Sequence, residues 1–164
     1  MSLKGDRYEL KTDISYFMNE VATRGGVVVL STVGSGAAMD QASALVTYAA
    51  SSSGARPVGV LMGDMVNYDL TRQHINFHRD EVQLGGKVRI LQIGFVVTNN
   101  IIGTPAVSDN AYLTSSGNVM PINVVNTTAS NYSASPNLAL RPYVGWFGSA
   151  KDEDGYAKLN VDLA

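Results

Sequence analysis

The chain reads as an all-β protein, a compact barrel or sandwich of about eight to ten short strands. Two observations predict this. Short runs of β-branched and apolar residues recur through the sequence, at 27–33, 43–50, 57–61, 87–98, 111–113, 143–149 and 156–163, and glycine-, serine- and asparagine-rich turns separate them. At both ends the side chains alternate between polar and apolar, the period of a half-buried strand. Its 164 residues fit one domain, and folding at this size removes roughly 70% of the extended chain's surface from water, enough for a core without staples.

The first 24 residues carry two overlapping periods. From 7 to 14, Tyr8, Leu10, Thr12 and Ile14 lie on one side, and Arg7, Glu9, Lys11 and Asp13, alternating in sign, on the other. Ile14, Phe17, Met18 and Val21 then follow at helical spacing behind Thr12-Asp13, which can cap a short helix. One reading is an ordinary first strand. The other is an arm that leaves the domain and adds a strand to a neighbouring subunit. We set residues 1–24 apart as an N-terminal arm and 25–164 as the β domain. The arm's candidate contacts with a partner are Tyr8, Leu10, Ile14, Tyr16, Phe17 and Met18. If it is an arm, deleting residues 1–22 should leave the β domain folded.

Residues 27–33 are apolar on both faces, as a strand covered on both sides would be. Gly34-Ser35-Gly36 then interrupts them. It lacks the Lys-Ser/Thr of a P-loop and the third glycine of a dinucleotide fingerprint, which argues against a phosphate cradle. The strand at 43–50 ends in Ser51-Ser52-Ser53-Gly54, Pro57-Val58-Gly59-Val60-Leu61 is a short strand, and Gly85-Gly86 turns the chain into the long strand 87–98. In that strand Val88 and Ile90 point one way and Leu91, Ile93, Phe95 and Val97 the other, which a bend or bulge at Gly94 reconciles. Arg141-Pro142-Tyr143-Val144-Gly145-Trp146-Phe147-Gly148 echoes Arg56-Pro57-Val58-Gly59-Val60-Leu61-Met62-Gly63 with one residue inserted, the mark of strands in equivalent places.

Ser116-Gly117-Asn118 reads as a hairpin turn, and a polar loop is expected at about 121–138. Within it, Asn126-Thr127-Thr128 and Asn131-Tyr132-Ser133 match the glycosylation acceptor pattern by chance. The last hairpin turns at 151–155, where Gly155 takes φ > 0. Ala157, Leu159, Val161 and Leu163 face the core, and Tyr156, Lys158, Asn160 and Asp162 face water.

Composition narrows the chemistry. Cysteine is absent, so disulfides and thiolate metal sites are excluded. A formal net charge of −2 with 16% charged residues argues against nucleic-acid and anionic-membrane partners. The first seven residues lead into no apolar signal-peptide core, and no apolar run approaches the ~20 residues of a membrane span, so synthesis in the cytosol is expected. His74 and His78 alternate with Ile75 and Phe77 as in a strand, where residues four apart stand about 13 Å from each other, so no metal and no cofactor are expected. No Gly-x-Ser-x-Gly elbow is present, and two histidines in one segment fit a cupin poorly, so an enzyme is not expected.

The order of segments resembles the small β-rich head decoration, or cement, proteins of tailed bacteriophages. The cues are Gly25-Gly26-Val27-Val28-Val29, Pro57-Val58-Gly59-Val60-Leu61, Gly85-Gly86-Lys87-Val88 running to Gly94-Phe95-Val96-Val97-Thr98-Asn99, Asp109-Asn110-Ala111-Tyr112-Leu113, and Val144-Gly145-Trp146-Phe147 before Asp154-Gly155-Tyr156-Ala157-Lys158-Leu159. They span residues 25–163, each a strand-and-turn cue of low specificity. The resemblance implies a non-catalytic protein on the outer capsid surface of the virion, bound to the major capsid protein of the phage head and made in the bacterial host cytoplasm. It also implies a homo-oligomer, dimer or trimer. No motif fixes the contact residues. The alternative is a virion surface or fibre-base module recognising host glycans, for which exposed Tyr132, Tyr143 or Trp146 would speak.

Replacing His74 and His78 together by Gln is expected to change stability by less than about 1 kcal/mol in urea denaturation. Stoichiometric metal lost in the double variant would contradict that reading.

Overall fold

The computed structural model describes residues 2–31, 44–65, 80–121 and 141–163. Gly34-Ser35-Gly36, both histidines, Tyr132 and almost all of the expected polar loop lie outside the described residues. The protein is all-β. Among the described residues its strands are β1 (Leu3–Met18), β2 (Ala22–Thr23), β3 (Val27–Leu30), β4 (Leu45–Tyr48), β5 (Pro57–Asp64), β6 (Glu81–Val82), β7 (Lys87–Thr98), β8 (Asn110–Leu113), β9 (Val119–Pro121), β10 (Tyr143–Phe147) and β11 (Ala157–Asp162), with a 3-10 turn at Ser115–Gly117. Nine of them join in the order β1-β4-β3-β5-β7-β11-β10-β8-β9, and a further β1–β7 pairing closes β1, β4, β3, β5 and β7 into a ring. β2 and β6 form a separate two-stranded ribbon.

β7 is long enough to have different neighbours at its two ends. One edge carries β1 from Leu3↔Thr98 to Phe17↔Lys87. The other is divided: β5 takes the first part, from Asp64↔Val88 to Val60↔Leu91, and β11 the last, from Asp162↔Ile93 to Ala157↔Thr98. The expected bend lies at the handover. Gly94 has φ +144, and a Cβ built there would stand 2.0 Å from the Tyr8 carbonyl oxygen, so only glycine lets β1 approach. Register shifts in the β1–β7 ladder flank the same point.

Two cores follow from that division. Val28, Val46, Val58, Leu61, Val88, Ile90 and Met18 pack in one cluster. Val27, Val29, Val60, Met62, Leu91, Val96, Leu113, Phe147, Leu159 and Leu3 belong to the other. β3 and β5 therefore bury both faces, the reason the 27–33 run has no polar alternation. Val88, Ile90 and Leu91 divide as expected. Beyond Gly94, however, the buried residues are Val96 and Thr98, while Phe95 and Val97 stay half-exposed, because the bend resets which side faces the core; Ile93, just before it, is half-exposed as well.

The echo between 56–63 and 141–148 has a steric meaning. A Cβ on Gly59 would lie 2.2 Å from the Leu91 carbonyl oxygen and one on Gly145 1.8 Å from that of Asn160, so in both β5 and β10 the glycine admits a neighbouring strand. The last hairpin is as expected: Gly155 has φ 81, and Ala157, Leu159 and Val161 are buried.

The N-terminal segment is corrected. Residues 3–18 do not form an arm apart from the 25–164 domain. They pair with β7 along its whole length, and Phe17 and Met18 pair in parallel with Leu45 and Val46 of β4. The helical spacing of Ile14, Phe17 and Met18 yields no helix, since β1 runs on through Met18. Strand pairing outweighed local period. Thr98, buried at the far end of β7, ties the start of β1 down: its hydroxyl lies 3.0 Å from the Ser2 carbonyl oxygen and 2.8 Å from that of Gly25. Lys4 also pairs with Asp152 at 2.7 Å and lies over the Tyr156 ring, 4.2 Å from its centroid.

Deleting residues 2–18 is therefore expected to abolish cooperative unfolding. Burial of Leu3 and Met18 alone stabilises by on the order of 4–6 kcal/mol, a large part of the ~5–15 kcal/mol a domain possesses. A truncated chain that still gives a sharp thermal transition and dispersed amide resonances would restore the arm.

Candidate functional site

In an antiparallel sheet, residues directly opposite one another project from the same face. The registers align one such row across five strands. Asn110 of β8 faces Trp146 of β10, Trp146 faces Asn160 of β11, Asn160 faces Phe95 of β7, and Phe95 faces Tyr8 of β1. With strands about 4.8 Å apart, the row is roughly 19 Å wide. The next row, Ala111, Gly145, Val161, Gly94 and Glu9, turns the other way, and its first three members are buried. The sheet thus has a core face and an outer, aromatic face.

The outer face is held in place by ring contacts. Tyr8 stacks on Phe95 with ring centroids 6.3 Å apart and planes inclined by 26°. Lys158, two residue pairs along on β11 opposite Val97, places Nζ 3.7 Å from the centroid of the same Phe95 ring, a cation–π contact. The Tyr8–Phe95–Lys158 stack fixes three side chains that a free strand would leave rotating. At the other end Tyr112 meets Tyr143 edge to face at 6.1 Å. A register shift between Tyr143 and Gly145 puts two residues where one belongs, so Tyr143 and Trp146, three apart, both emerge on the exposed side while Val144 and Gly145 are buried. Burial, then the Asp162 charge and Tyr112, push the Tyr143 phenol above its ordinary pKa, so its hydroxyl remains a neutral donor near neutral pH.

The six residues singled out on the first strand divide into two groups. Tyr8, Leu10 and Ile14 are 54%, 64% and 45% exposed and available to a partner. Tyr16 packs against the Met18 core cluster, and Phe17 is half-buried with Lys87 5.9 Å from its ring centroid. Met18 is fully buried and cannot be a contact residue: it ends the strand where the ring of strands closes. Trp146 and Tyr143, at 43% and 41%, are nearly as exposed as Ile14.

Phe95 and Asn160 were missed as members of a site. Asn160 was expected to face water and Phe95 the core, but which residues stand beside them depends on strand order. The alternation of Lys158, Asn160 and Asp162 was the one available signal for an exposed face on β11.

No group of three or more His, Asp or Glu side chains that could hold a metal occurs among the described residues. Among the described residues no helix is long and apolar enough to cross a membrane. Asp152 organises the last hairpin, its Oδ1 accepting from the Tyr156 N–H at 2.7 Å, and the Lys4 hydrogen bond holds its carboxyl below the ordinary range. Asp152 in turn raises Lys4. The pair's contribution to stability is accordingly present above the carboxylate's unfolded pKa and lost as pH falls through its lowered folded value. At the alkaline end it is lost as pH rises through the raised pKa of Lys4.

Compared with known proteins, the chain matches no family model and no curated protein sequence.

Trp146→Ser should change the urea-unfolding free energy by less than about 1 kcal/mol, since it removes an exposed ring. Phe95→Ala should cost about 2 kcal/mol, because it removes a half-buried ring together with the Tyr8 stack and the Lys158 contact. Equal effects of the two would contradict the stack as the element that orders this face.

Proposed function

We propose that this protein is a capsid decoration, or cement, protein of a tailed-bacteriophage head, binding the outer surface of the shell and bridging neighbouring capsid subunits. The observation that carries the reading is the outer face of the sheet. A row of Tyr8, Phe95, Asn160 and Trp146, its Tyr8–Phe95 end pre-ordered by ring stacking and the row lying opposite a well-packed core, suits a protein that lies against another protein surface. The shell as partner comes from the resemblance in strand-and-turn order described above. On a symmetric lattice, many weak contacts add by avidity, so a modest face on each copy suffices. Such a ligand binds the intact lattice and not the dispersed subunits, and so stabilises the lattice by mass action.

A second reading has its own support. Exposed Trp146 and Tyr143 stand on one face with exposed Asn110, and aromatic rings with an amide beside them suit the apolar faces and hydroxyls of a sugar. In that case the protein is a virion surface module that recognises host glycans.

One experiment separates the two. Purified protein should rebind to heads stripped of it, and the loaded heads should resist heating, chelation or osmotic release of DNA better than bare ones, with protection that saturates as sites fill. Tyr8→Ala and Trp146→Ser should reduce rebinding without unfolding the free protein. Heads equally robust with and without the protein would overturn cementing. Retention of sugars on a glycan array, lost in Trp146→Ser, would then favour the second reading.

A further inference from the structure

The outer face of the sheet carries aromatic rings at both ends, and among the described residues only one end has a cation on its rings. Lys158 covers Phe95 where β11 meets β7. At the other end Tyr112 of β8 and Tyr143 of β10 stand opposite each other, their rings edge to face at 6.1 Å. Tyr112 belongs to this face because its strand neighbours Ala111 and Leu113 are buried. Trp146 emerges on the same side three residues beyond Tyr143, within roughly 10 Å along the strand. In an edge-to-face pair each ring keeps a side that the other does not cover, and the negative face of a ring attracts positive charge.

A carboxylate stands beside these rings. Asp162, the last residue of β11, is exposed on the outer face opposite Ile93. Its charge reaches Tyr143, where it adds to burial in raising the phenol's pKa. Among the described residues no cation pairs with it. Lys158 lies four residues back along β11, about 13 Å, and is engaged with Phe95. Lys11 lies two strands away, across Ile93, and makes no ion pair with Asp162. Arg141, two residues before Tyr143, is turned aside, its Nη1 2.8 Å from Met120 Sδ. Three rings and an unpaired carboxylate thus share one patch that lacks the positive charge they would jointly attract.

We infer that Tyr112, Tyr143, Trp146 and Asp162 form a subsite for a cationic side chain of the partner protein, and that this side chain is an arginine. Two features select the guanidinium. Tyr143 and Trp146 are exposed on an open sheet face, which makes a shallow platform and not the closed cage that surrounds a quaternary ammonium. A planar guanidinium stacks on such a platform by one face while its edge donates to a carboxylate at the side, and it gives up water more readily than an ammonium. The inference rests on the proposed function only in assigning the arginine to a shell subunit. The preference for a guanidinium is a property of the free protein.

Trp146 is the chain's one tryptophan, so its indole N–H resonance reports on this patch alone. With N-acetylarginine amide titrated into the full chain at constant ionic strength, that resonance should shift saturably, with a midpoint on the order of tens of millimolar, the scale of a single exposed cation–π and carboxylate contact. N-acetylcitrulline amide, of the same shape without the charge, should leave it in place. Asp162→Asn should weaken the arginine response about threefold, and so should Tyr143→Leu, which keeps apolar bulk but removes a π face. The thermal transition of each variant checks its folding, and the arginine–citrulline comparison on the unaltered chain decides even where a variant is unstable. Citrulline equal to arginine, or a folded Asp162→Asn chain that responds as before, would overturn the subsite. A tighter response to tetramethylammonium would overturn the choice of arginine in favour of a quaternary headgroup. A response to methyl glycosides with none to arginine would overturn it in favour of a sugar. None of these titrations involves capsids, so failed rebinding to heads with the arginine response intact would remove the shell as partner and leave the subsite standing.

Discussion

The architecture depends on β7 and on the change of neighbour along it. Its first half faces β5 and its second half β11, with β1 along the opposite edge throughout. A straight strand would carry one set of buried residues on one face. The positive φ of Gly94 and the adjacent register shifts let Val88 and Ile90 fill one core while Leu91 and Val96 fill the other. The bend also sets the outer face, because it turns Phe95 outward to meet Tyr8 and Lys158. A side chain at Gly94 would strike the Tyr8 carbonyl and part β1 from its support.

From that arrangement follows the division of labour along β1. Its two ends are anchored, Leu3 and Met18 in the cores and Ser2 under the Thr98 hydroxyl, while its middle lies at the rim of the sheet with polar and apolar residues both in contact with water. A strand buried at its ends and exposed between them can offer a surface without risk to the fold. The anchors belong to stability and the middle to recognition. An arm would have supplied a partner contact at the entropic cost of ordering a loose chain, whereas this segment is ordered before any partner arrives.

The aromatic face follows a simple physical logic. Tyr8, Phe95 and Trp146 give apolar area at low side-chain entropy, and Asn110 and Lys158 keep that area soluble. A formal net charge of −2 leaves no long-range field to choose a partner, so selectivity has to come from local matching.

The sequence by itself determined the class of fold and the local direction of most side chains. Periods of two placed Ala157, Leu159 and Val161 inward and Lys158, Asn160 and Asp162 outward, and glycine marked the last turn, because both follow from the geometry of one strand or one turn. Strand partners are a different matter. That Tyr8 meets Phe95, nearly ninety residues on, and that Asn160 joins Phe95 to Trp146, depend on strand order, which arises from long-range packing and leaves no local period. The same limit explains the N-terminal segment. Its alternation announced a strand, but only the edge of β7 decided that the strand would be held inside the molecule and that Met18 would be core.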